Sequence, residues 1–436
     1  MRVGIFTESY PPLVNGVSTS ILMLEHALTK LGHEVFIITV SDNKKDYVLE
    51  NNGHILRLPS VNLANCYDYK MTSVYPIKAV NIIKKMNLDV IHSNVEFTVG
   101  IFARVVSEQL SIPLVHTYHT NWEDYTHYIT KNKKILDDIC KKLLKYLVVF
   151  FEDKTVTELI VPSNKIYNLF KDKYKFTKNI HIIQTGIETS KFYKENFNQK
   201  DINSLKKKLG IKKKDFVVMT VSRLAKEKSV DRIINNHKEL VKKYSNMKLL
   251  IVGDGPDIDK LKDEAKSLGV SDSVIFTGKV PLSDIPIYYQ LGNVFVTASK
   301  SETQGLTVVE AISSSLPVVA VKDDSFVNSV IEDFNGFVFT DDEKYINSKA
   351  EFKQTLKAAA VKLYEDKDLY NRLSNQSRLL SADFSSEYFA LKVLKVYETA
   401  IENYKKDNKK IINKIKNNIA SRKYKKISEK NWYFFC

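Results

Sequence analysis

The stretch Ser301-Glu302-Thr303-Gln304-Gly305-Leu306-Thr307-Val308-Val309-Glu310 leads from a strand into a helix. The apolar run Val294–Ala298 before it predicts a buried strand, and Val308 onward predicts an apolar helix that begins near Gly305. A helix start presents unpaired N–H groups and the positive end of a dipole, so it attracts phosphate. The stretch therefore predicts one β-α unit of a parallel sheet with an anion site at its turn.

Two glutamates flank this turn, Glu302 in the loop and Glu310 within the helix. One carboxylate can accept hydrogen bonds from ribose hydroxyls while the other accepts them from sugar hydroxyls. With a diphosphate held between them, the arrangement indicates a nucleotide-sugar site. From the spacing alone, the alternative is a solvated loop glutamate beside a glutamate on the helix surface.

Short apolar strands alternate with helices through both halves of the chain. In the first half a helix over Asn15–Leu31 is predicted, with strands at Arg2–Thr7, Glu34–Val40, Asp89–Ser93, Pro113–His116 and Glu158–Pro162. In the second half the strands are Phe216–Val221, Lys248–Val252, Ser273–Thr277, Val294–Ala298 and Pro317–Val321, with helices near 229–245, 256–268, 305–315 and 349–366. This alternation predicts an α/β fold with two Rossmann-like, doubly wound parallel-sheet domains facing a central cleft. The polar segment 186–213 is the expected connection between them.

Length and composition support a globular, two-domain protein. The chain has 436 residues, too many for one ordinary core, and 44% of them are hydrophobic. The three cysteines, Cys66, Cys140 and Cys436, show no disulfide or metal spacing, which fits a reducing cytosol. The chain opens directly on a strand pattern rather than a signal peptide, and no apolar run approaches the roughly 18 residues of a membrane helix.

The net charge of +15 is unevenly distributed. Lysines and arginines cluster in residues 405–430, and a second set surrounds a predicted amphipathic helix at about 131–150. Such clustering predicts an anionic partner, either nucleic acid or a lipid surface, although general solubility is an open alternative. The apolar face of the helix is Leu136, Ile139, Cys140, Leu143 and Leu147. This face either packs on the core or lies on anionic lipid.

Several residues that follow predicted strands are candidates for ligand contacts. Gly16 would let the backbone approach a phosphate or sugar, and Arg223 with Lys228 could clamp a diphosphate. Gly253, in Gly253-Asp254-Gly255-Pro256, closes a strand before a helix. Plain turns and a solvated loop are the alternatives. The metal-like pattern Asp257-Ile258-Asp259 falls in a first helical turn, where acids complement the dipole, so it is interpreted as structural.

The segment His116-Thr117-Tyr118-His119-Thr120-Asn121-Trp122-Glu123-Asp124-Tyr125 concentrates polar and aromatic side chains after a strand. Aromatic rings stack on sugars, and imidazole and carboxylate groups bind hydroxyls. The density of such residues where a cleft should open predicts a ligand site.

As a set, these motifs resemble glycosyltransferase family 4, the retaining enzymes of the GT-B fold. The similarity rests on Asn15-Gly16, the Arg223 and Lys228 pair, Gly253–Pro256 and the Glu302 and Glu310 pair, and it extends to about residue 400. The opening Met1–Pro12 and the segment His116–Tyr128 are most similar to bacterial 1,2-diacylglycerol 3-glucosyltransferases. Those enzymes make monoglucosyl diacylglycerol from UDP-glucose.

The resemblance implies a role for each matched residue. His119 and Glu302 would be the catalytic pair, with His119 beside the donor sugar and Glu302 on its hydroxyls. Arg223 and Lys228 would bind the diphosphate and Glu310 the ribose. The other donor contacts would come from Gly16, Gly253 and the backbone of Gln304, Gly305, Leu306 and Thr307. No metal or other cofactor is expected, and no side chain stands out as a covalent nucleophile.

The resemblance also implies a division of the chain. An acceptor-binding domain would span 1–195 and a nucleotide-sugar-binding domain 196–383. A helix at 384–404 would pack back toward the first domain, and a basic, aromatic-ended tail would follow at 405–436. The protein would be cytoplasmic and peripheral on the inner face of the cell membrane, with anionic lipids and diacylglycerol as partners and no nucleic acid.

Other functions are alternatives to glucose transfer onto diacylglycerol. The same fold could transfer another hexose, or act on a glycolipid or polyprenyl acceptor. A nucleic-acid-binding protein is disfavoured because no such motif occurs, and a nicotinamide-dependent oxidoreductase because G-x-G-x-x-G is absent after the first strand. Two positions depart from the family pattern. Ser229 stands where glycine is common, and Gly292-Asn293 where an acid is usual.

Overall fold

A computed structural model describes residues 1–13, 15–41, 46–62, 70–126, 134–340 and 355–407. Most of the predicted tail at 405–436 lies outside these ranges, as do Cys66, Cys436 and the first lysines of the 131–150 segment.

The first half forms an eight-stranded sheet in the order β10-β9-β8-β7-β1-β2-β4-β3. Its strands are β1 (Arg2–Phe6), β2 (Glu34–Val40), β3 (Val48–Glu50), β4 (Ile55–Leu58), β7 (Val90–Ser93), β8 (Leu114–Thr117), β9 (Glu158–Val161) and β10 (Ile180–Ile182). All neighbours are parallel except β3, which runs antiparallel to β4 at the edge. A separate hairpin joins β5 (Ser60–Asn62) and β6 (Lys70–Thr72).

The second half forms a six-stranded parallel sheet in the order β13-β12-β11-β14-β15-β16. Its strands are β11 (Phe216–Val221), β12 (Met247–Val252), β13 (Val274–Phe276), β14 (Val294–Thr297), β15 (Val318–Val321) and β16 (Gly336–Phe339). The α/β fold with two parallel-sheet units is therefore confirmed.

Helices cover the faces of both sheets. Those of the first half are Gly16–Lys30, Ile77–Lys85, Thr98–Leu110, Lys134–Thr155 and Asn164–Asn168. Those of the second half are Gln199–Lys208, Val230–Lys243, Ile258–Ser267, Ile285–Tyr289, Leu306–Ser313, Leu356–Glu365 and Lys367–Leu380. A last helix spans 386–407.

The sequence patterns miss the shortest elements. Strands β3, β4, β10 and β16 have three or four residues each, too few for a clear period. The helix Gln199–Lys208 lies in the segment expected to be only a connection. It is polar and Lys-rich because it buries little more than Ile202.

The last helix packs against the first sheet although it follows the second sheet in the chain. Phe389, Val393 and Tyr397 belong to the same buried cluster as Val3 and Ile5 of β1. The Tyr397 hydroxyl lies 2.7 Å from His92 Nδ1 in β7. The chain therefore passes from the first unit to the second and then returns to the first.

Candidate active site

Each sheet has a point at which its strand order reverses, and such points are where α/β folds bind ligands. In the second sheet the reversal lies between β11 and β14, since the chain runs outward from β11 through β12 and β13 and then returns to β14. Arg223 and Lys228 follow β11, while the loop with Glu302 follows β14. The residues predicted to hold the donor therefore come from neighbouring strands.

Lys228 and Glu302 form an ion pair, with Nζ 2.5 Å from Oε1. Their side chains are 17% and 22% exposed, so the pair is largely withdrawn from water but open on one side. Lys228, which is predicted to bind the diphosphate, thus lies beside Glu302, which is predicted to bind the sugar. The ion pair fixes the orientation of both side chains. Arg223 lies on the exposed side of the same loop.

The helix Leu306–Ser313, termed here the donor helix after its predicted role, begins directly after Gly305, as expected from the sequence. Gly305 has a φ of +81°, and a Cβ atom there would lie 2.6 Å from the Phe326 ring, so only glycine fits. Among the described residues no side chain caps this helix start. Its N–H groups can therefore receive an anion.

The side chain of Gln304 has a structural partner rather than a place in the cleft. It is buried, accepts from Thr185 N at 2.7 Å and donates to Thr185 O at 2.9 Å. This pair ties the loop before the helix Leu306–Ser313 to the segment between β10 and β11, which connects the two sheets. Only the backbone of Gln304 is then left for a ligand, which is the role that the resemblance implied.

Glu310 lies in the second turn of the donor helix and is half-buried. Tyr289 donates to its Oε2 at 2.7 Å. Burial raises the pKa of Glu310 to about 7, and the hydrogen bond from Tyr289 opposes that rise. The sequence patterns did not single out Tyr289, which ends a five-residue helix too short to show a period.

The first sheet reverses between β1 and β7, and Gly16 is the first residue of the helix that follows β1. Asn15 caps the following helix by a reciprocal pair of hydrogen bonds with Ser18. Gly16 is exposed, and a Cβ atom built there would lie 3.8 Å from Leu306 Cδ1. The start of the helix Gly16–Lys30 in the first unit therefore lies close to the start of the helix Leu306–Ser313 in the second.

His119 follows β8 and is held by Asn94, which follows β7. The ring Nε2 lies 2.9 Å from Asn94 Oδ1, and the Asn94 amide donates to His92 O. Oδ1 can only accept, so Nε2 carries the hydrogen and Nδ1 is an acceptor. Burial lowers the pKa of His119 to about 3. The ring is therefore neutral at physiological pH and can accept from a hydroxyl rather than offer positive charge.

Two other members of the 116–125 segment, His116 and Tyr118, serve the core, and the expectation of a ligand site is wrong for these two. His116 and Tyr118 are fully buried, and the Tyr118 ring meets Phe170 edge-on at 5.0 Å. Glu123 is bound by Lys173 and accepts from the Tyr174 hydroxyl at 2.8 Å. A strand that is buried on both faces uses its aromatic and imidazole groups for packing, so composition alone overstated the site.

The first unit also holds two carboxylates that sequence reasoning did not identify. Glu8 accepts from Val99 N at 2.7 Å and from Thr98 Oγ1 at 3.1 Å. Glu96 accepts from Trp122 Nε1 at 3.0 Å. Burial raises the pKa of each carboxyl to about 7. Glu8 directly follows the predicted first strand, Arg2–Thr7, and its charged side chain beside an apolar run was the available signal.

Gly253 and Gly255 are required by packing. A Cβ atom at Gly253 would lie 2.0 Å from Ser222 O, and one at Gly255 would lie 2.3 Å from Leu224 O. Both glycines thus let the β12 turn pack on the loop that carries Arg223. A direct donor contact by Gly253 stays a prediction.

The two departures from the family pattern have local explanations. Ser229 has a φ of +51°, in the left-handed region where glycine is favoured. Asn293 Oδ1 accepts from Val217 N at 2.8 Å, which is the bond a carboxylate would accept at that position. Neither residue disturbs the ion pair at Lys228.

An open pocket of about 400 Å³ lies between the units. Glu123 and Lys141 line it from the first unit, and Glu227, Ser229, Arg232, Lys300 and Ser301 from the second. Ser229 and Ser301 directly adjoin Lys228 and Glu302 in the chain, and Lys141 lies on the helix Lys134–Thr155. The pocket therefore connects that helix with the predicted donor site.

The helix Lys134–Thr155, termed here the surface helix, does not turn its apolar stripe to the core. Leu136, Ile139, Leu143 and Leu147 are 48%, 56%, 58% and 44% exposed. The core-facing alternative is therefore wrong for these residues. Ile135 and Tyr146 extend the exposed apolar face, at 77% and 74%. None of the helices in the described ranges is both long and apolar enough to cross a bilayer.

The described ranges contain no group of three histidine, cysteine or acidic side chains placed to hold a metal ion. Asp259 of the D-x-D pattern is 91% exposed in the first turn of its helix, next to Lys262. That geometry agrees with the structural interpretation of the pattern. The absence of a cofactor in the reaction stays a prediction.

Two family models match the chain. One is described as Glycosyltransferase Family 4 and covers residues 14–191, and the other as Glycosyl transferases group 1 and covers residues 201–379. Two relatives are named alpha-monoglucosyldiacylglycerol synthase. The protein from Acholeplasma laidlawii is 34% identical, over 94% of this chain and 100% of its own. The protein from Streptococcus pneumoniae is 38% identical, over 76% of this chain and 74% of its own.

Among solved structures, the chain is similar to Anabaena HepE in complex with UDP and glucose. The TM-score is 0.68 with 17% identity, over 92% of this chain and all of that one. This similarity concerns the fold, which is that of two facing parallel-sheet units.

Proposed function

The chain is a member of glycosyltransferase family 4, and from that premise we propose that it transfers glucose from UDP-glucose to 1,2-diacylglycerol with retention, giving monoglucosyl diacylglycerol. The observation that carries the proposal is the 34% identity to a synthase so named, over the whole length of that relative. The site geometry supports the same reaction.

The donor would lie along the second sheet. Its diphosphate would meet the uncapped start of the helix Leu306–Ser313 together with Arg223 and Lys228. Glu302 would accept from the glucose hydroxyls and Glu310 from the ribose. Because Lys228 already pairs with Glu302 at 2.5 Å, the side chains that would bind the phosphate and the sugar are positioned before the donor arrives.

The acceptor would approach from the surface helix. The exposed apolar face of the surface helix and the lysines of that helix suit a position at the level of lipid headgroups. The pocket of about 400 Å³ leads from Lys141 on that helix to Ser301 beside Glu302. A diacylglycerol hydroxyl could thus reach the donor while its acyl chains stay in the membrane. The protein would act as a peripheral enzyme on the inner face of the cell membrane.

In the reaction the bond from the glucose anomeric carbon to the UDP oxygen breaks, and a bond to the acceptor oxygen forms on the same face. The acceptor proton passes to the leaving phosphate oxygen. Arg223 and Lys228 offset the charge on the departing UDP. Neutral His119, with Nδ1 as acceptor, holds a donor hydroxyl beside the reacting carbon. No metal or other cofactor is assigned a part.

A second candidate is the same chemistry with another hexose, or with a glycolipid or polyprenyl acceptor. The described contacts of Glu302 and His119 are compatible with several sugars, since hydroxyl acceptors do not select one epimer by themselves.

The test is transfer of labelled glucose from UDP-glucose into lipid. The full chain is incubated with vesicles of phosphatidylcholine, phosphatidylglycerol and dioleoylglycerol, and extracted lipid is analysed for an α-linked monoglucosyl product. Other nucleotide sugars, and vesicles with glucosylated diacylglycerol or polyprenyl phosphate, are compared in parallel. A labelled product only with a different donor or acceptor would favour the second candidate, and no product with any of them would refute the proposal.

A further inference from the structure

Tyr289 lies outside every motif that predicted the site, yet it touches the site directly. Its side chain is fully buried at the end of the helix Ile285–Tyr289. The ring meets Phe192 edge-on at 5.7 Å and Phe295 at 5.9 Å. Packing on two sides fixes the ring, so the hydroxyl has a defined position and cannot follow a moving partner.

The hydroxyl of Tyr289 has two acceptors within reach and one hydrogen to give. Glu310 Oε2 lies at 2.7 Å and Thr307 O at 3.2 Å. The nearer acceptor is a carboxylate, which forms the stronger bond. Among the described residues Tyr289 is the one side chain that donates to Glu310. With Oε2 held in this way, Oε1 is left to accept from a ligand.

We propose that Tyr289 is a positioning residue for the donor, whose hydroxyl holds the Glu310 carboxylate in the orientation that accepts from the ribose hydroxyls of a nucleotide sugar. The inference rests on the proposed function, because Glu310 meets a ribose only if the donor is a nucleotide sugar. It assigns Tyr289 no contact with the substrate itself.

The charge state of Glu310 makes this role measurable. Burial raises the pKa of Glu310 to about 7, and the bond from Tyr289 lowers it. Removal of the hydroxyl would therefore raise the pKa further and protonate the carboxyl at neutral pH. A protonated carboxyl gives up one acceptor oxygen, so ribose binding would weaken, and it would recover as the pH is raised.

The experiment compares the full-length protein with Tyr289→Phe in the glucose-transfer assay between pH 6 and 9. We expect KM for UDP-glucose to rise about tenfold at pH 7 with kcat within twofold, because one bond to a charged group is lost. The defect in KM should shrink toward pH 9. With a donor that carries 2′,3′-dideoxyribose, wild type and variant should have the same KM.

Tyr364→Phe is the matched control, since Tyr364 donates to Asn246 at 3.1 Å in the same unit, at the opposite end of β12 from Gly253. It should leave KM and its pH profile unchanged. An unchanged KM in Tyr289→Phe, or an equal loss with the dideoxy donor, would overturn the inference while the proposed function stands. A wild-type protein that uses no nucleotide sugar would overturn both.

If the phenylalanine variant does not fold, 3-fluorotyrosine at position 289 provides a second test. It keeps the ring and hydroxyl but donates more strongly, so the KM profile should move to lower pH. An unmoved profile would contradict the role.

Discussion

Each unit presents a carboxylate beside the point at which its strand order reverses, and the two units compensate the charge in different ways. In the second unit Glu302 is paired with the ammonium of Lys228 at 2.5 Å. In the first unit Glu8 is held by neutral dipoles, the Val99 N–H and the Thr98 hydroxyl. An ion pair in a partly open cleft remains charged and available to a ligand. A carboxyl surrounded by dipoles is instead sensitive to pH, and burial raises the pKa of Glu8 to about 7.

A shared strand topology does not imply a shared use of its polar residues. Where the second unit collects them in an open loop, the first buries His116 and Tyr118 in its own core. Mutations in the second unit are therefore expected to change turnover. Many mutations in the first unit are expected to change stability and its pH dependence.

The largest expected effect breaks the ion pair of the second unit. Glu302→Ala should lower kcat/KM for glucose transfer by about 10³-fold, because a group that orients the donor is lost from a largely buried site. Lys228→Ala should act in the same range. Glu365→Ala removes an exposed carboxylate paired with Lys243 in the same unit and should change little. A loss of less than tenfold in Glu302→Ala, with normal folding by circular dichroism, would contradict the site assignment.

The next effect concerns His119 in the first unit. His119→Ala should lower kcat by about 10²-fold, because removal of the neutral ring takes away its contact with a donor hydroxyl. Burial lowers the pKa of His119 to about 3, so its ring does not titrate between pH 5 and 9. The wild-type pH–rate profile should therefore show no imidazole step that disappears in His119→Gln. Finding such a step would refute the neutral-ring role.

The third prediction tests how the first unit holds Glu8. Its pKa in the folded chain, about 7, exceeds the value of 4.5 expected when unfolded. The folded state therefore binds the extra proton, and this contribution to stability is present below the unfolded pKa and is lost as pH rises through about 7. In the wild type, Glu8 should lower the free energy of unfolding by an amount on the order of 3 kcal/mol as the pH rises from 4 to 8. In Glu8→Gln this decrease should be absent.

Urea unfolding at both pH values measures the Glu8 effect as the difference between wild type and variant. Glu34→Gln, at an exposed ion pair with Arg2, is the control. Equal pH dependence in wild type and Glu8→Gln would show that the carboxyl is hydrated in the folded protein.

The fourth prediction concerns the exposed face of the surface helix in the first unit. Ile139→Glu with Leu143→Glu should weaken binding to anionic vesicles at least tenfold, because both side chains leave the lipid and two negative charges are added. Leu282→Glu changes an equally exposed leucine, 64% accessible, in the second unit and should bind as wild type does. Vesicle co-sedimentation at two salt concentrations measures the effect. Equal binding by all three proteins would show that the surface helix does not contribute to membrane binding.

The smallest effect lies beside the ion pair. Ser229→Gly should raise the free energy of unfolding by about 0.5–1 kcal/mol, since Ser229 has a φ of +51° and glycine adopts that conformation without strain. Ser222→Gly, in the same loop, is the control and should not stabilise the protein. Thermal unfolding at neutral pH distinguishes them, and a destabilised Ser229→Gly would mean that the serine hydroxyl has an essential bond.

Much of this architecture can be predicted from residue order, because strand and helix patterns are local. Apolar runs such as Phe216–Val221 and Glu34–Val40 are observed with the predicted bounds. The turn at Gly305 is equally local, since a positive φ and a following apolar helix leave a signature within ten residues. The chain order of the candidate donor residues follows from the same patterns.

Other features depend on contacts between residues far apart in the chain, and these only the tertiary structure decides. Tyr289 meets Glu310 across 21 positions and Gln304 meets Thr185 across 119, so no local period indicates either pair. Burial separates His119, which is partly exposed, from His116, which is fully buried, although the two are neighbours in one motif. The amphipathic pattern of the surface helix is the same whether its stripe packs on protein or faces outward. Its direction is set by which surfaces the rest of the fold leaves uncovered.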